Sequence, residues 1–378
     1  SVTSSRRPCS TGNVLRLDAA RPAPQTYRGQ PGYQPEQPAY PQVPEPRRPE
    51  PVESRYTLLD NGYRHAEVLQ GLDAELRFDD EPLDQAGLRR RIADFQPDLM
   101  VVLGWRVPMC RFAATDAAFA AIRKLFAFDM TFAFTPRKLL APLVLRRYLH
   151  RFVGAVVTGE RSALYASYLG FDSSCIERGL IGLDTEPFAA ACERRSRLAS
   201  TPRQFLHVGR LTREKRIDLL VEAYRRYRSR VAAPWGLTCC GVGPDSRLLE
   251  NEAGITACGF AQPDEMPEIH ARHGALVIAS DYDPWPLVIA EAVASGLPVI
   301  CTDACGSHVE LVRHGFNGRI CGTGDVEGLA RAMAWMHAHA AELPEMGRRG
   351  LALAAPYAKE QWAAQWRERI ERVSRVGR

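Results

Sequence analysis

Two acidic residues flank the start of a predicted helix. Asp283 and Glu291 lie eight positions apart, and the apolar run 275–279 before them is typical of a buried strand. Residues 287–295 are typical of a helix, with a proline beside the first turn and Gly296 beyond the end. We therefore expect Asp283 in the loop after the strand and Glu291 about one to two turns into the helix. Both carboxylates would then face one cleft.

A second predicted strand, residues 205–208, leads into a loop that carries positive charge. Arg210 and Lys215 lie in this loop, and the helix that follows has apolar residues on one face. Ligands of parallel α/β sheets bind beyond the carboxyl ends of the strands, so these cations are expected at the same crevice as the two acids. Two cations and two acids suit a ligand with a diphosphate at one end and hydroxyl groups beside it.

At these residues the chain resembles the GT-B-fold retaining glycosyltransferases of family 4, also called glycosyl transferases group 1. That family has an arginine after a glycine, a lysine five positions later, and an E-x7-E motif. Arg210 and Lys215 match the first two, and Glu291 matches the second acid of the motif. Asp283 replaces the first acid, as in a branch of the family whose loop reads Asp-Pro-Trp-Gly-Leu, and Pro286 departs from that branch.

Further short segments follow in the order and spacing of the family. Each is a weak signal by itself, because short glycine motifs often arise by chance. Together they extend the resemblance over roughly residues 53–373. The segments are residues 182–188, 240–244, 259–260, 305–311 and 315–318.

The resemblance implies a role for each matching residue. Arg210 and Lys215 would hold the diphosphate, Glu291 would hold the ribose hydroxyls, and Asp283 would contact the donor sugar. Backbone groups near the same loops would complete the donor site, while Pro286 has no N–H to donate. The donor-binding residues implied in this way are Gly209, Gly243, Gly259, Phe260, Leu287 and Val288.

The resemblance also implies a fold and a reaction. The fold is α/β of the GT-B type, with two Rossmann-like, doubly wound parallel-sheet domains that face a cleft. The reaction is transfer of a sugar from a nucleotide-diphosphate sugar with retention of configuration. It needs no metal and no other cofactor, and the acceptor is a glycan, a lipid-linked molecule or a small molecule, as in synthesis of cell-envelope polysaccharides.

The chain divides into segments of different composition. Residues 54–187 are expected to form the N-terminal, acceptor-side domain, and residues 201–355 the donor-binding domain. A helix over 357–378 is expected to cross back onto the first domain, with its tryptophans packing between domains. Residues 1–53 are rich in Pro, Gln, Glu and Arg and are predicted to be disordered, because they offer too little apolar surface to bury. A solvated tail is favoured there over a polyproline ligand of an SH3-like partner.

The expected first strand of the acceptor-side domain has no counterpart before residue 55. Relatives of this fold begin with a short apolar strand and a glycine-containing loop. We therefore expect the N-terminal domain to be incomplete, either because the chain is a fragment or because its start has been replaced.

Three residues at predicted strand ends are candidates for contact with the acceptor. Trp105 and Arg106 follow the predicted strand 97–104, and Asp129 follows residues 125–128. For Trp105, packing in the core is as probable as stacking on a sugar, since a tryptophan in a loop can do either. Asp129 has an equal claim to capping the next element.

Residues 135–151 are basic and amphipathic. Such a segment could lie on an anionic membrane, where a lipid-linked acceptor would be presented. A surface helix with solvated charges is the more common alternative. The expected location is the cytoplasm, with peripheral contact on the inner face of the cell membrane if this segment binds lipid.

The amino-acid composition excludes several other classes of protein. The 378 residues are 46% hydrophobic, enough for two cores, and a net charge of +5 gives no case for a nucleic-acid partner. The ten cysteines have no C-x-x-C spacing, which is typical of reduced, buried thiols in a cytoplasmic protein. No run is apolar for long enough to be predicted as a membrane span.

Three alternatives stay open. Asp281 and Asp283 formally match the D-x-D motif of single-domain GT-A glycosyltransferases, which bind Mn²⁺ or Mg²⁺ there. A degenerate GT-B protein that binds nucleotide without turnover would fit the shortened first acid, Pro286 and the atypical start. A GT-B enzyme that does not transfer, such as a sugar-nucleotide epimerase, fits the Arg-Lys and acid pattern less well.

Overall fold

The structure, a computed structural model, describes residues 84–375. The Pro-rich segment 1–53 therefore lies outside the described residues. The predictions of disorder there and of a missing first strand and loop lie outside them as well.

The first domain contains a parallel four-stranded sheet in the order β1-β2-β3-β4. Its central strands are buried on both faces, since Phe126, Ala127 and Val156 are fully buried, as parallel sheets covered by helices require. The strands are β1 Leu99–Leu103, β2 Arg123–Phe128, β3 Gly154–Val157 and β4 Ile176–Arg178. The helices are α1 Gln85–Phe95, α2 Pro108–Thr115, α3 Pro136–Leu139, α4 Ala141–Leu149, α5 Glu160–Tyr168 and the connecting α6 Glu186–Ser196.

The second domain contains a parallel six-stranded sheet with helices between its strands. The strands are β5 Gln204–Val208, β6 Gly236–Cys240, β7 Ile255–Gly259, β8 Ala275–Ile278, β9 Val299–Thr302 and β10 Gly318–Cys321. The helices are α7 Ile217–Arg228, α8 Met266–Ala271, α9 Leu287–Ala294, α10 His308–Leu311, α11 Val326–Ala338 and α12 Leu343–Ala354. The apolar face predicted for α7 is buried, including Ile217, Leu220 and Tyr224.

The strand order of this sheet creates a crevice. The order is β10-β9-β8-β5-β6-β7, so the chain starts at β5, winds outward through β6 and β7, and then returns to the other side of β5 at β8. At such a switch point the loops after the two neighbouring strands diverge and leave room for a ligand. The predicted cations lie after β5 and the predicted acids after β8.

A last helix, α13 Lys359–Arg375, packs against the sheet of the first domain. Trp366 lies in one apolar cluster with Leu125 and Val156 of that sheet. Its indole Nε1 donates a hydrogen bond of 3.2 Å to the carbonyl of Gly179, which satisfies the polar atom of a buried ring. The first domain is therefore built from two stretches of chain that flank the second.

The predicted architecture of two parallel-sheet α/β domains is confirmed. The GT-A alternative is wrong, because that class has one compact domain. The basic, amphipathic segment 135–151 forms the two short helices α3 and α4. Pro142 lies in the first turn of α4, where a proline starts a helix and has no N–H to continue the preceding one.

We expect replacement of Trp366 by alanine to lower the free energy of unfolding by about 3–4 kcal/mol, because the change opens a cavity at a buried aromatic site. Denaturant titration of both proteins measures this difference. Glu368→Ala on the exposed side of the same helix is the control and should change stability by less than about 0.5 kcal/mol. Equal effects of the two changes would contradict the packing of α13 described above.

Candidate active site

Two ion pairs join the loop after β5 to the loop after β8. Lys215 Nζ lies 2.5 Å from Asp283 Oδ2, and Arg216 Nη1 lies 2.7 Å from Asp281 Oδ2. The backbone N–H of Asp281 donates to the Glu214 carbonyl at 2.9 Å. The two acids of the apparent D-x-D motif therefore each face a different cation.

Asp283 is the buried partner of the first pair. Only 8% of the residue is exposed, and burial raises the pKa of its carboxyl, while the ammonium of Lys215 acts in the opposite direction. Removal of either partner would leave an uncompensated charge in a desolvated place. Asp283 and Lys215 must consequently be treated as one unit.

Arg210 is also paired, but at the surface. Its Nη2 lies 3.2 Å from Glu214 Oε1, and 74% of the Arg210 side chain is exposed. An exposed ion pair of this kind contributes at most about 1 kcal/mol. A diphosphate, with more negative charge than one carboxylate, would displace Glu214 at little cost.

Glu291 differs from the other charged groups of the site. It lies on α9, and its burial raises the pKa of its carboxyl from the ordinary 4.5 to about 7. Among residues 84–375 no charged group offsets this cost. Glu291 is thus a desolvated carboxyl whose hydrogen-bond acceptors are available to a ligand.

The amino-terminal end of α9 lies between the two acids. Leu287 and Val288 are its first residues, and the N–H groups of a first helical turn have no partner within the helix. Pro286 precedes them as the cap and donates nothing, as expected from the sequence. This end therefore offers two backbone donors and the positive end of the helix dipole.

Glycines allow the loops after β5 and β6 to touch. The N–H of Gly209 donates to the Cys240 carbonyl at 3.0 Å. A Cβ on Gly241 would lie 1.8 Å from the Gly209 carbonyl oxygen, and one on Gly243 would lie 2.2 Å from that of Leu211. Side chains at these two positions would push the Arg210 loop out of place.

The end of β7 leaves an aromatic ring exposed beside these loops. Gly259 closes the strand with a φ of +72°, a conformation that favours glycine. The next residue, Phe260, is 64% exposed. The predicted role of Gly259 and Phe260 in donor binding stays a prediction.

The three acceptor-side candidates have different surroundings. Trp105 stacks on the buried Phe126 with ring centroids 5.8 Å apart, which favours its core-packing alternative. Arg106 is exposed after β1. Asp129 is exposed after β2, and its charge raises the pKa of Asp283, so the structure brings these two carboxylates near each other.

Sequence reasoning missed several residues around the cleft. Lys138 donates to the Tyr282 hydroxyl at 3.3 Å and lies 5.0 Å from the centre of its ring, which joins the two domains beside Asp283. The spacing of Arg210 and Glu214, four positions apart, was a signal available in the sequence. No local signal links Lys138 to Tyr282, which lies 144 positions later.

The described part of the chain, residues 84–375, holds no group of three or more His, Cys, Asp or Glu side chains that could bind a metal ion. Independence from metals stays a prediction.

One segment of the chain matches a known family. Residues 191–350 match the family model "Glycosyl transferases group 1", and this segment contains the site residues of the second domain. The predicted resemblance is thereby confirmed at that level, whereas family 4 and its Asp-Pro-Trp variant stay predictions.

Particular relatives match parts of the chain. An exopolysaccharide phosphotransferase of Streptomyces coelicolor is 29% identical over 48% of this chain and 20% of its own length. A glycogen synthase of Mycobacterium tuberculosis is 34% identical over 39% of this chain and 36% of its own. The chain thus spans between a fifth and about a third of these curated relatives.

Solved structures share the fold over more of the chain. Anabaena HepE in complex with UDP and glucose has a TM-score of 0.62 at 17% identity, covering 81% of this chain and 88% of HepE. Sucrose-phosphate synthase from Thermosynechococcus elongatus has a TM-score of 0.63 at 18% identity, covering 76% of this chain and 77% of the synthase. At these identities the likeness shows the GT-B fold alone.

We expect Glu291→Gln to stabilise the protein above neutral pH. The folded protein holds the Glu291 proton more tightly than the unfolded chain, so the free energy of unfolding falls as the pH rises from 4.5 to about 7. Glutamine removes this loss. The variant should gain about 1–3 kcal/mol over the natural protein at pH 8 and much less at pH 5.

Thermal or urea unfolding at both pH values measures the difference. Glu345→Gln is the matched control, because the Glu345 side chain is 44% exposed and paired with Arg348 and Arg349, which lower the pKa of its carboxyl. It should give no gain at pH 8. An equal gain in both variants would show that desolvation of Glu291 is not the cause.

Proposed function

We propose that this protein is a glycosyltransferase that moves a sugar from a nucleotide-diphosphate sugar with retention of configuration and without a metal. The observation that carries the proposal is the meeting of cations, acids and a helix amino terminus at the switch point between β5 and β8. Membership of family 4 and of its Asp-Pro-Trp branch is part of this proposal.

The cations act on the leaving group. When the bond between the sugar and the diphosphate breaks, negative charge develops on the phosphate oxygens. Preorganised positive charge at that point is the largest help a protein can supply. Here the positive charge comes from Arg210, Lys215 and the N–H groups of Leu287 and Val288. In other enzymes a metal ion has this role.

The acids orient the donor. Glu291 accepts hydrogen bonds from the ribose hydroxyls. Its desolvated carboxyl, which no charged group within residues 84–375 offsets, is suited to a ligand that supplies hydrogen-bond donors. Asp283 accepts from hydroxyls of the donor sugar while Lys215 holds its position at 2.5 Å. Aspartate reaches one methylene less far than glutamate, so the sugar must sit closer to the loop after β8.

The bond changes need no dedicated side-chain base. The acceptor oxygen forms its bond to the anomeric carbon on the face from which the diphosphate leaves. The bond from that carbon to the phosphate oxygen breaks, and the departing phosphate takes the acceptor proton. Retention of configuration follows from attack on the same face.

The acceptor side is built from the first domain. Arg106 and Asp129 lie after β1 and β2, and Asp129 is near enough to affect Asp283. We propose a glycan or lipid-linked acceptor, in keeping with the polysaccharide-related names of the curated relatives.

A second candidate function is binding without turnover. Pro286 removes one backbone donor from the turn between the acids, and Asp283 is shorter than the family's glutamate. A degenerate transferase would keep nucleotide affinity and lose sugar release.

We expect UDP, the nucleotide of a solved neighbour, to stabilise the protein against unfolding, by about 2.7 kcal/mol at one hundred times its dissociation constant. Arg210→Ala should weaken UDP binding by about tenfold or more, because a charged hydrogen bond to phosphate is lost. Arg226→Ala, which removes an exposed arginine paired with Glu222 on α7, is the control and should leave affinity unchanged. Calorimetric titration with UDP measures the dissociation constants of the natural protein and of the two variants.

Turnover is then measured with UDP-glucose. Release of glucose in the presence of EDTA, first as the α-anomer in NMR spectra, would support a retaining and metal-free reaction. Loss of release with EDTA and its return with Mn²⁺ would overturn the metal-free mechanism. UDP binding without release from UDP-glucose or other UDP-sugars would favour the degenerate protein.

We also propose that the α3 and α4 region contacts an anionic membrane peripherally, on the inner face of the cell membrane. Phe134, Leu143 and Val144 are 89%, 75% and 75% exposed, and Arg146 and Arg147 are exposed next to them. An exposed apolar patch beside cations is typical of surfaces that lie on anionic lipid. In the described part of the chain, no helix has the length and apolar character needed to span a bilayer.

We expect the double change Leu143→Asp and Val144→Asp to abolish co-sedimentation with vesicles that contain anionic lipid. The reasons are the lost apolar insertion and the added negative charge. Leu198→Asp, at an exposed leucine outside the patch, is the control. Equal binding to vesicles of neutral lipid alone, or no effect of the double change, would contradict the proposal.

A further inference from the structure

Helix α5 of the first domain begins without a cap from its own sequence. Its cap residue is Gly159, which has no side chain, and no side-chain hydrogen bond closes the helix from that position. The first N–H groups of a helix need acceptors from elsewhere. Ser, Thr, Asp or Asn usually supplies one.

The acceptor comes from the other domain. The backbone N–H of Glu160 donates to Oε1 of Glu310 at 2.6 Å, and Glu310 lies 150 positions later on α10. A carboxylate at this end of a helix is also stabilised by the helix dipole. Beside it, Arg161 Nη2 lies 3.4 Å from His308 Nε2, a second polar contact between the same two helices.

The segment that carries Glu310 is bonded to the donor-site turn. The N–H of Gly306 donates to the Asp283 carbonyl at 2.8 Å, and the Ser307 hydroxyl donates to the Pro286 carbonyl at 3.3 Å. Residues 283–286 form the turn between the two acids of the site. Any displacement of α10 must therefore move this turn.

Gly159 is the position that makes the contact possible. A Cβ there would lie 2.3 Å from Glu310 Oε1 and 3.2 Å from Trp285 Nε1. The φ of Gly159 is −162°, which any residue adopts, so the reason for glycine is space and not conformation. The carboxylate of Glu310 and the indole of Trp285 converge on the place that a side chain would occupy.

We propose that Glu310 is a positioning residue, which caps helix α5 of the first domain from the second domain and thereby fixes the donor-site turn 283–286 relative to the acceptor side. This inference rests on the proposed glycosyl transfer for its catalytic consequence. Glu310 itself touches neither the diphosphate cations nor Glu291 through any contact in the described residues. Its loss should therefore affect alignment for transfer and leave nucleotide binding intact.

Amide hydrogen exchange tests the cap and its coupling without any need for activity. Glu310→Ala and Gly159→Ala should each speed exchange of the Glu160 N–H by about tenfold or more, because the first change removes the acceptor and the second displaces it. Gly159→Ala should also speed exchange of the Gly306 N–H, in the other domain. Glu310→Gln keeps an acceptor oxygen and should retain most of the protection.

Matched controls separate this effect from general loosening. Gly322→Ala adds a methyl that meets only Asp325 Cβ at 3.8 Å, and Glu345→Ala removes a glutamate bonded to arginines of its own helix. Neither should change exchange at Glu160 or Gly306. Unchanged exchange at Glu160 in both test variants, or changes of equal size in the controls, would overturn the proposal.

Binding and turnover then test the catalytic consequence. Calorimetry with UDP should give dissociation constants within about twofold of the natural protein for Gly159→Ala and Glu310→Ala, whereas kcat for UDP-glucose should fall about tenfold or more and return in part with Glu310→Gln. A loss of UDP affinity as large as the loss of kcat would overturn the positioning role. Failure of the natural protein to bind UDP would instead count against the proposed function. The capping of α5 by Glu310 would still be tested by amide hydrogen exchange.

Discussion

The buried ion pair of Lys215 and Asp283 is the interaction on which the site depends. It joins the loops after β5 and β8, two parallel neighbouring strands whose connections lead to opposite ends of the second sheet. Two charges in a desolvated place are costly unless each has its partner. The pair therefore fixes the distance between the two loops.

Around this pair the charges are balanced to different degrees. Arg210 has an exposed partner that a ligand can replace, Arg216 is held by Asp281 and Asp218, and Glu291 has no compensating charge among the described residues. The centre of the site is thus held by ion pairs, whereas Arg210 at one end and Glu291 at the other lack a buried partner of opposite charge among the described residues. A ligand with a diphosphate at one end and hydroxyl donors at the other would complete both.

The sequence was informative wherever structure and chemistry were local. Apolar runs and glycines predicted β5, β8 and α9, because each element is decided by neighbours within a few positions. The motif spacing placed the two cations after β5, Asp283 after β8 and Glu291 on α9. The contact of Glu310 with the start of α5 joins residues 150 positions apart, and no periodicity records such a contact. Trp105 shows the same limit, since only the folded domain reveals its stacking on Phe126.

Helix α13 gives the chain an order of assembly. The apolar face of the first sheet that includes Leu125 and Val156 is covered by Trp366, which follows the whole second domain in the sequence. During synthesis the first sheet must therefore leave the ribosome with this face uncovered until the whole second domain, from Gln204 of β5 to Ala354 of α12, has been made. The first domain is therefore begun before the second and completed after it, so the second domain must fold beside a partner that still exposes an apolar surface.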